Sequence, residues 1–459
     1  MPETANVPPS PASLPTSEHQ PSPYYGPGRD EILQLRRAYL NPAIFNYYKD
    51  PLCIVEGHMQ YLWDDTGKQY LDALGGVVSV SVGHCHPKIT ARLREQTGQL
   101  VHTTTIYLHP NIVRFAKALA DRFPEGSHLE QSYFVNSGSD ANELAVLMAR
   151  LHTGRYDVLA LRGGYHGCSE ATLGLTAVGV WKYPLPSPSG VKHVPNAYCY
   201  RCPYGLEYPA CDVKCARSVE DTIRCETGGE IAAFIAEPIQ GVGGIVVPPP
   251  EFFQIVYEVV RKHGGLCISD EVQTAWGRTG EHYWGFENYG VTPDIVTMAK
   301  GIGNGTPLGA CTTRPEIAEN LARRLHFNTF GGNPVSVLAG LTVLEIIDEE
   351  NIRQRAKEVG GYLKGKLLEL QEEHALIGDV RGMGLLLGLE LVKDRETKAP
   401  ATEETAAVFE NAKKRGLLLG KGGQYGNVLR ITPPMCITKP DCDFLAGCLD
   451  VCLSEIETA

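Results

Sequence analysis

Gly264-Gly265-Leu266-Cys267-Ile268-Ser269-Asp270-Glu271-Val272-Gln273 and, further on, Asp294-Ile295-Val296-Thr297-Met298-Ala299-Lys300-Gly301-Ile302-Gly303-Asn304-Gly305 share one pattern. Each contains a short apolar run that stops at a charged residue, Asp270 in the first and Lys300 in the second. Runs of this length, without polar alternation, read as parallel strands buried on both faces. In open α/β sheets a ligand lies beyond the carboxyl ends of the strands. An acid and a lysine at two such ends therefore face one ligand.

The flanking sequence supports such a sheet. From Asn111 onward, helical and strand patterns alternate: helix Ile112 to Arg122, strand Ser132 to Val135, helix Glu143 to Leu151, strand Val158 to Leu161 and strand Ile231 to Ala236. Helix Glu251 to His263 then places Phe252, Ile255, Val256, Val259 and Val260 on one face. This order predicts an α/β fold with a mainly parallel sheet covered by helices on both sides. Beyond Pro334 the pattern changes to a long helix, Asn351 to His374. Strands follow at Gly384 to Val392, Leu417 to Leu419 and Val428 to Ile431, and the chain closes on a helix near Pro440 to Ile456. That is a smaller α+β lobe. Cys53 to Leu74 alternates around Asp64-Asp65-Thr66-Gly67-Lys68, a strand–turn–strand signature. The expected organisation is a disordered Pro/Ser-rich tail over 1–28, an N-terminal segment over 29–105 that packs with the small domain, a large domain over 106–340 and a small C-terminal α+β domain over 341–459.

The chain has 459 residues, 43% apolar and 21% charged, and a formal charge of −11. That balance offers no basic face for nucleic acid or an anionic membrane, and no apolar run is long enough to span a bilayer. Residues 1–28 lack a basic stretch and an apolar core, so they read as neither a secretory signal nor an organellar transit peptide. A cytoplasmic protein is expected. The fourteen cysteines then read as reduced thiols.

The chemistry follows from the neighbours of Asp270 and Lys300. A lysine among apolar residues loses proton affinity and becomes a nucleophile suited to Schiff-base formation. A nearby ionised acid is the partner that a protonated pyridine nitrogen needs. Pyridoxal 5'-phosphate requires both. Asn136-Ser137-Gly138-Ser139, between a strand and a helix, offers free N–H groups and a helix dipole to a phosphate. Tyr165, in Gly164-Tyr165-His166-Gly167, is an aromatic placed to stack on a flat ring or to fill a core.

Taken together, Ser269-Asp270-Glu271-Val272-Gln273, Met298-Ala299-Lys300-Gly301 and Phe330-Gly331-Gly332-Asn333-Pro334 resemble, in order and spacing, the class III pyridoxal-phosphate-dependent aminotransferases of fold type I. The resemblance covers roughly Asp30 to the C-terminus. It implies a seven-stranded-type sheet in the large domain and a set of residue roles. Lys300 is the Schiff-base lysine and proton shuttle, and Asp270 is the partner of the ring nitrogen. Val272 and Tyr165 cover the two ring faces, and Gln273 lies near the ring hydroxyl. Gly138 and Ser139 hold the phosphate. Thr329 matches a threonine that reaches the partner subunit's phosphate, which implies a homodimer or a higher homo-oligomer. Arg430, in Val428-Leu429-Arg430-Ile431, matches the arginine that grips a substrate carboxylate. Glu237, in Ala236-Glu237-Pro238, matches the acid that pairs with this arginine when no carboxylate is bound.

Many members read His-Gly-Arg-Thr after the stacking aromatic, and that arginine binds a distal carboxylate. This chain reads His166-Gly167-Cys168-Ser169. Val80-Ser81-Val82-Gly83-His84-Cys85-His86-Pro87, Gly378-Asp379-Val380-Arg381-Gly382 and Met435-Cys436-Ile437-Thr438-Lys439-Pro440 resemble the branch that moves an amino group from alanine or a β-amino acid to glyoxylate or pyruvate by a ping-pong mechanism. The alternative is a broad amine:pyruvate (omega) transaminase. Cys199, Cys202, Cys211 and Cys215 form C-x2-C-x8-C-x3-C, which reads either as a structural zinc loop or as free or paired thiols. His84-Cys85-His86 reads as a turn before Pro87, and no metal is assigned to the site.

Overall fold

The computed structural model describes residues 13–184, 186 and 190–458. A seven-stranded sheet forms its centre, in the order Gln131–Val135, Gly309–Thr313, Ile295–Met298, Leu266–Asp270, Ala233–Ala236, Val158–Leu161, Val191–Val194. Gly309–Thr313 runs antiparallel to both neighbours, and the other adjacent pairs are parallel. The five inner strands, from Gly309–Thr313 to Val158–Leu161, are buried at every residue. Burial on both faces is why their sequences are unbroken apolar or small-residue runs.

Helices close both faces. Gly138–Thr153 buries Ala141, Leu144, Ala145, Met148 and Ala149. Phe252–Lys262 buries Phe252, Phe253, Val256, Tyr257 and Val260. Full burial of each large side chain contributes about 1.5–3 kcal/mol against leaving it in water, so these stripes hold the helices in place.

Two four-stranded sheets flank the centre. In the first, Ile54–His58, Tyr61–Asp64 and Gln69–Asp72 are completed by Leu417–Leu418, which lies parallel to Gln69–Asp72. In the second, Ile377–Met383, Leu386–Leu391, Val428–Ile431 and Gly420–Gly422 are antiparallel neighbours.

The tail expected to be disordered is corrected where it is described. Residues 1–12 lie outside the described residues, but 14–22 lie against the N-terminal strands, through the Pro15 carbonyl on Gln69, and His19 and the Ser22 N–H on Glu56, while 23–28 are exposed. Leu14 packs on the main core. His19 stacks on His58 with ring centroids 4.6 Å apart and bonds Glu56 at 2.6 Å. Proline there sets an extended path that side chains anchor.

His84 bonds Asp72 at 2.7 Å, and His86 bonds Glu350 at 3.0 Å and caps helix Pro87–Gln99. Both imidazoles therefore hold elements together. The four loop cysteines are free thiols. Among the described residues, the group of His, Cys, Asp and Glu side chains whose ligand atoms come within 4.8 Å of one another is Glu373, His374 and Asp450, not the cysteine loop.

Candidate active site

The carboxyl ends of the central strands open into a cavity of about 150 Å³. It is lined by Ser137, Gly138, Ser139, Asn142, Tyr165, His166, Gly167, Glu237, Asp270, Val272, Gln273 and Lys300. Eight of the residues expected at the site thus come together from segments far apart in sequence. Strands Leu266–Asp270 and Ile295–Met298 are parallel neighbours with Asp270 opposite Thr297, so Asp270 and Lys300 open onto the same end of the sheet.

At one wall the helix Gly138–Thr153 begins, with Ser137 as its N-cap, accepting from the Asp140 N–H at 3.2 Å. A side chain at 138 would meet the Val272 methyl carbons at 3.2–3.4 Å, and one at 167, where φ is +127°, would meet the Ser139 hydroxyl at 2.4 Å. Two glycines therefore let the helix start and the Ser139 hydroxyl approach the cavity floor. The Ser139 hydroxyl also accepts from the Cys168 N–H at 3.2 Å.

Asp270 is 2% exposed and is held by three donors. Asn142 Nδ2 and the His166 ring Nδ1 each reach Oδ2 at 2.8 Å, and the Val272 N–H reaches Oδ1 at 3.1 Å. Asn142 is itself fixed, donating to the His166 carbonyl at 2.8 Å and accepting from the Thr297 hydroxyl at 2.6 Å. His166 Nε2 is buried without a partner. Asn142 and His166 were not singled out from sequence. The available signal was an asparagine on the apolar face of an otherwise Ala- and Leu-rich helix.

Lys300 has φ +50°, in the left-handed region that non-glycine residues rarely occupy, at a cost of order 1–3 kcal/mol. Removal from bulk water, reinforced by the nearby Arg430 charge, pushes its amine down to about 8, with Asp270 and Glu237 opposing. Tyr165 is half-buried. Burial, followed by the neighbouring Cys168, pushes its phenol up to about 12, and its ring meets Trp181 edge-on at 5.1 Å.

Two expected contacts differ. Glu237 and Arg430 make no ion pair. Both Glu237 oxygens are taken by backbone N–H groups, of Tyr165 at 3.0 Å and Gly241 at 2.8 Å, and burial raises its pKa. Arg430 instead donates from Nη2 to Gln273 Oε1 at 2.6 Å, which corrects the expected Glu237–Arg430 pair. Thr329 does not line this cavity and is exposed.

The model of the family described as Aminotransferase class-III matches residues 44–453. The mitochondrial alanine–glyoxylate aminotransferase 2 homolog 2 of Arabidopsis thaliana is 50% identical over 445 residues, covering 97% of this chain and 92% of that protein. The mitochondrial alanine–glyoxylate aminotransferase 2 of Homo sapiens is 44% identical over 451 residues, covering 94% and 87%. Among solved structures, an (S)-enantioselective omega-transaminase from Thermomicrobium roseum superposes with a TM-score of 0.87 at 34% identity, covering 94% of this chain and all of that one. Both relatives carry a mitochondrial designation, which overturns the cytoplasmic placement expected from the composition of residues 1–28.

Proposed function

Because the chain belongs to the class-III aminotransferases and carries out pyridoxal-phosphate-dependent transamination, we propose that its amino donor is alanine or a β-amino acid and its acceptor glyoxylate or pyruvate. The observation that carries the reading is that Lys300 and the triply held Asp270 line one cavity. The names of the Arabidopsis and human relatives support the choice of substrates.

The residues present fit the cofactor. A helix N-terminus with the Ser139 hydroxyl suits a phosphate, and Asp270 on its buried clamp suits a pyridinium nitrogen. Val272 and Tyr165 would bound the ring, and Gln273 would lie toward its hydroxyl. When bound, pyridoxal phosphate supplies an electron sink that acidifies the substrate C–H beside the amino group. The rest falls to the chain. Lys300 Nζ takes and returns the proton at that carbon, and Asp270 holds the proton on the ring nitrogen. The buried Arg430 fork turns to the substrate carboxylate.

Thr329 is exposed beside Phe327 and Phe330, which are 54% and 58% exposed, and Leu108, which lines one cavity with Asn328 and Gly331, is fully exposed. A contiguous exposed apolar patch, unlike scattered single residues, marks an interaction surface. This supports a homodimer in which Thr329 reaches the second subunit's phosphate site.

The deciding experiment follows the visible absorption of the holoenzyme. Bleaching by L-alanine or β-alanine and recovery with glyoxylate is the expected result, and no response to either donor would sink the substrate assignment. The second reading, a broad amine:pyruvate transaminase, is favoured by the placement of Arg430 behind Gln273 and outside the cavity lining. Bleaching mainly by 1-phenylethylamine and recovery with pyruvate would select it.

Two further results are expected. Arg430→Ala raises KM for L-alanine roughly 10- to 100-fold, the worth of hydrogen bonds to a charged group, and changes KM for 1-phenylethylamine far less. Equal increases for both would remove the arginine from carboxylate binding. Capture of pyridoxal phosphate by the apoenzyme accelerates with pH, reaches half its limit at about 8 and levels off above that, because Lys300 attacks as the free amine and half of it is already deprotonated there. A rate still climbing at pH 10 in stopped-flow absorbance would show a lysine of ordinary basicity.

A further inference from the structure

Arg430 is 4% exposed and seated against glycines. A side chain at Gly420 would meet its Cβ at 3.0 Å, and one at Gly422 its Cδ at 2.8 Å. A guanidinium carries five N–H donors, yet among the described residues the acceptor bonded to this one is Gln273 Oε1, while its Nε is buried without a partner. The charged side chains around it are Lys300, which repels it, and Glu237, which lies in electrostatic range without bonding it, while burial pushes the Tyr47 phenol up and keeps it neutral. The Glu237 carboxyl oxygens face the Tyr165 and Gly241 N–H groups. The Gln273 amide lies flat on Gly241, where a side chain would come within 2.6 Å of it, so its carbonyl is aimed rather than free to swing.

We propose that Gln273 is the residue that parks Arg430 between substrates, and that the neutrality of its amide sets how readily this site exchanges a carboxylate-bearing donor for a carboxylate-free amine. The proposal rests on the carboxylate-binding role given above to Arg430. A parking carboxylate would satisfy the guanidinium with a charge-assisted, two-oxygen contact of the kind a substrate offers, and would compete with it on equal terms. An amide oxygen offers one neutral acceptor, so an arriving carboxylate displaces it and also engages the unpartnered Nε. A donor without a carboxylate leaves the Arg430–Gln273 bond in place, and the arginine is never stranded. Gln273 is thus a positioning and specificity-determining residue.

The test is calorimetric binding of propionate, the carbon chain of alanine without its amino group, to the holoenzyme. Arg430→Ala is measured first. If it binds propionate as the unaltered enzyme does, the carboxylate role of Arg430 fails, and the parking role with it. With that premise standing, Gln273→Glu is expected to weaken propionate binding at least tenfold. Gln273→Met, which removes the competing acceptor, is expected to tighten it a few-fold. A purely structural role would move both variants the same way, and that result overturns the proposal. The ratio of kcat/KM for L-alanine to that for 1-phenylethylamine is expected to fall at least tenfold in Gln273→Glu, and an unchanged ratio counts against it. Glu237→Gln is expected to change the propionate Kd less than threefold. A tenfold tightening there, with no effect of Gln273→Glu, would make Glu237 the parking residue instead.

Discussion

Lys300→Ala lowers turnover with L-alanine by at least about 10⁴-fold, because one substitution removes both the nucleophile and the group that moves the substrate proton, and proton transfer alone is worth 10²–10⁴. The residues that would hold the phosphate and the ring nitrogen, Ser139 and Asp270, do not include the lysine, so the variant is expected to retain the cofactor. The check has two parts. Borohydride reduction and peptide mapping leave a phosphopyridoxyl group on Lys300 of the unaltered protein and none on the variant. Equilibrium dialysis finds the cofactor bound to both. Turnover within tenfold of the unaltered enzyme would end the assignment of Lys300, whatever the dialysis shows. The left-handed backbone at Lys300 adds a reason for its place. Strain of that kind persists where the surroundings over-determine a position.

Asp270→Asn lowers the rate of the single-turnover reaction with L-alanine by roughly 10³-fold or more, an effect of the size expected when a fixed counter-charge to developing charge is lost. The amide is isosteric but fits the clamp poorly. Asn142 Nδ2 and the His166 ring Nδ1 both point at one carboxylate oxygen, and the Val272 N–H points at the other. Whichever way an amide is turned, its NH₂ faces a donor. The variant therefore loses the negative charge and also sets a buried hydrogen-bond conflict beside the ring nitrogen. Rapid-mixing spectroscopy of the cofactor band measures the rate, and a loss smaller than tenfold would contradict the role given to Asp270.

How far the site was readable from sequence depends on where each residue gets its partners. Asp270 and Lys300 stood out because the strands preceding them are buried on both faces, so an apolar run ends abruptly in a charge. Gly309–Thr313 was not anticipated. Its Gly-Ala-Cys-Thr-Thr composition is too small and polar to announce a strand, and it is held by pairing on both sides. Val191–Val194 was missed because it is an edge strand with three of four residues only half-buried. Helix Pro334–Glu349 is apolar around most of its surface, so no amphipathic stripe marks it. The partners of Arg430 were beyond sequence altogether. Whether Glu237 or Gln273 takes the guanidinium is decided by side-chain direction and by two backbone N–H groups, which no motif records.

The pairing of Gln69–Asp72 with Leu417–Leu418 bears on how the chain is made. Leu71 meets Leu417 in register, so the ribosome must add about 350 residues between the two, or roughly 20–70 s of synthesis at ordinary rates. Through that interval the N-terminal hairpin presents a bare strand edge to every other nascent chain. A chain ending before Leu417 would keep that edge permanently. It would be a template for association rather than a shorter catalyst.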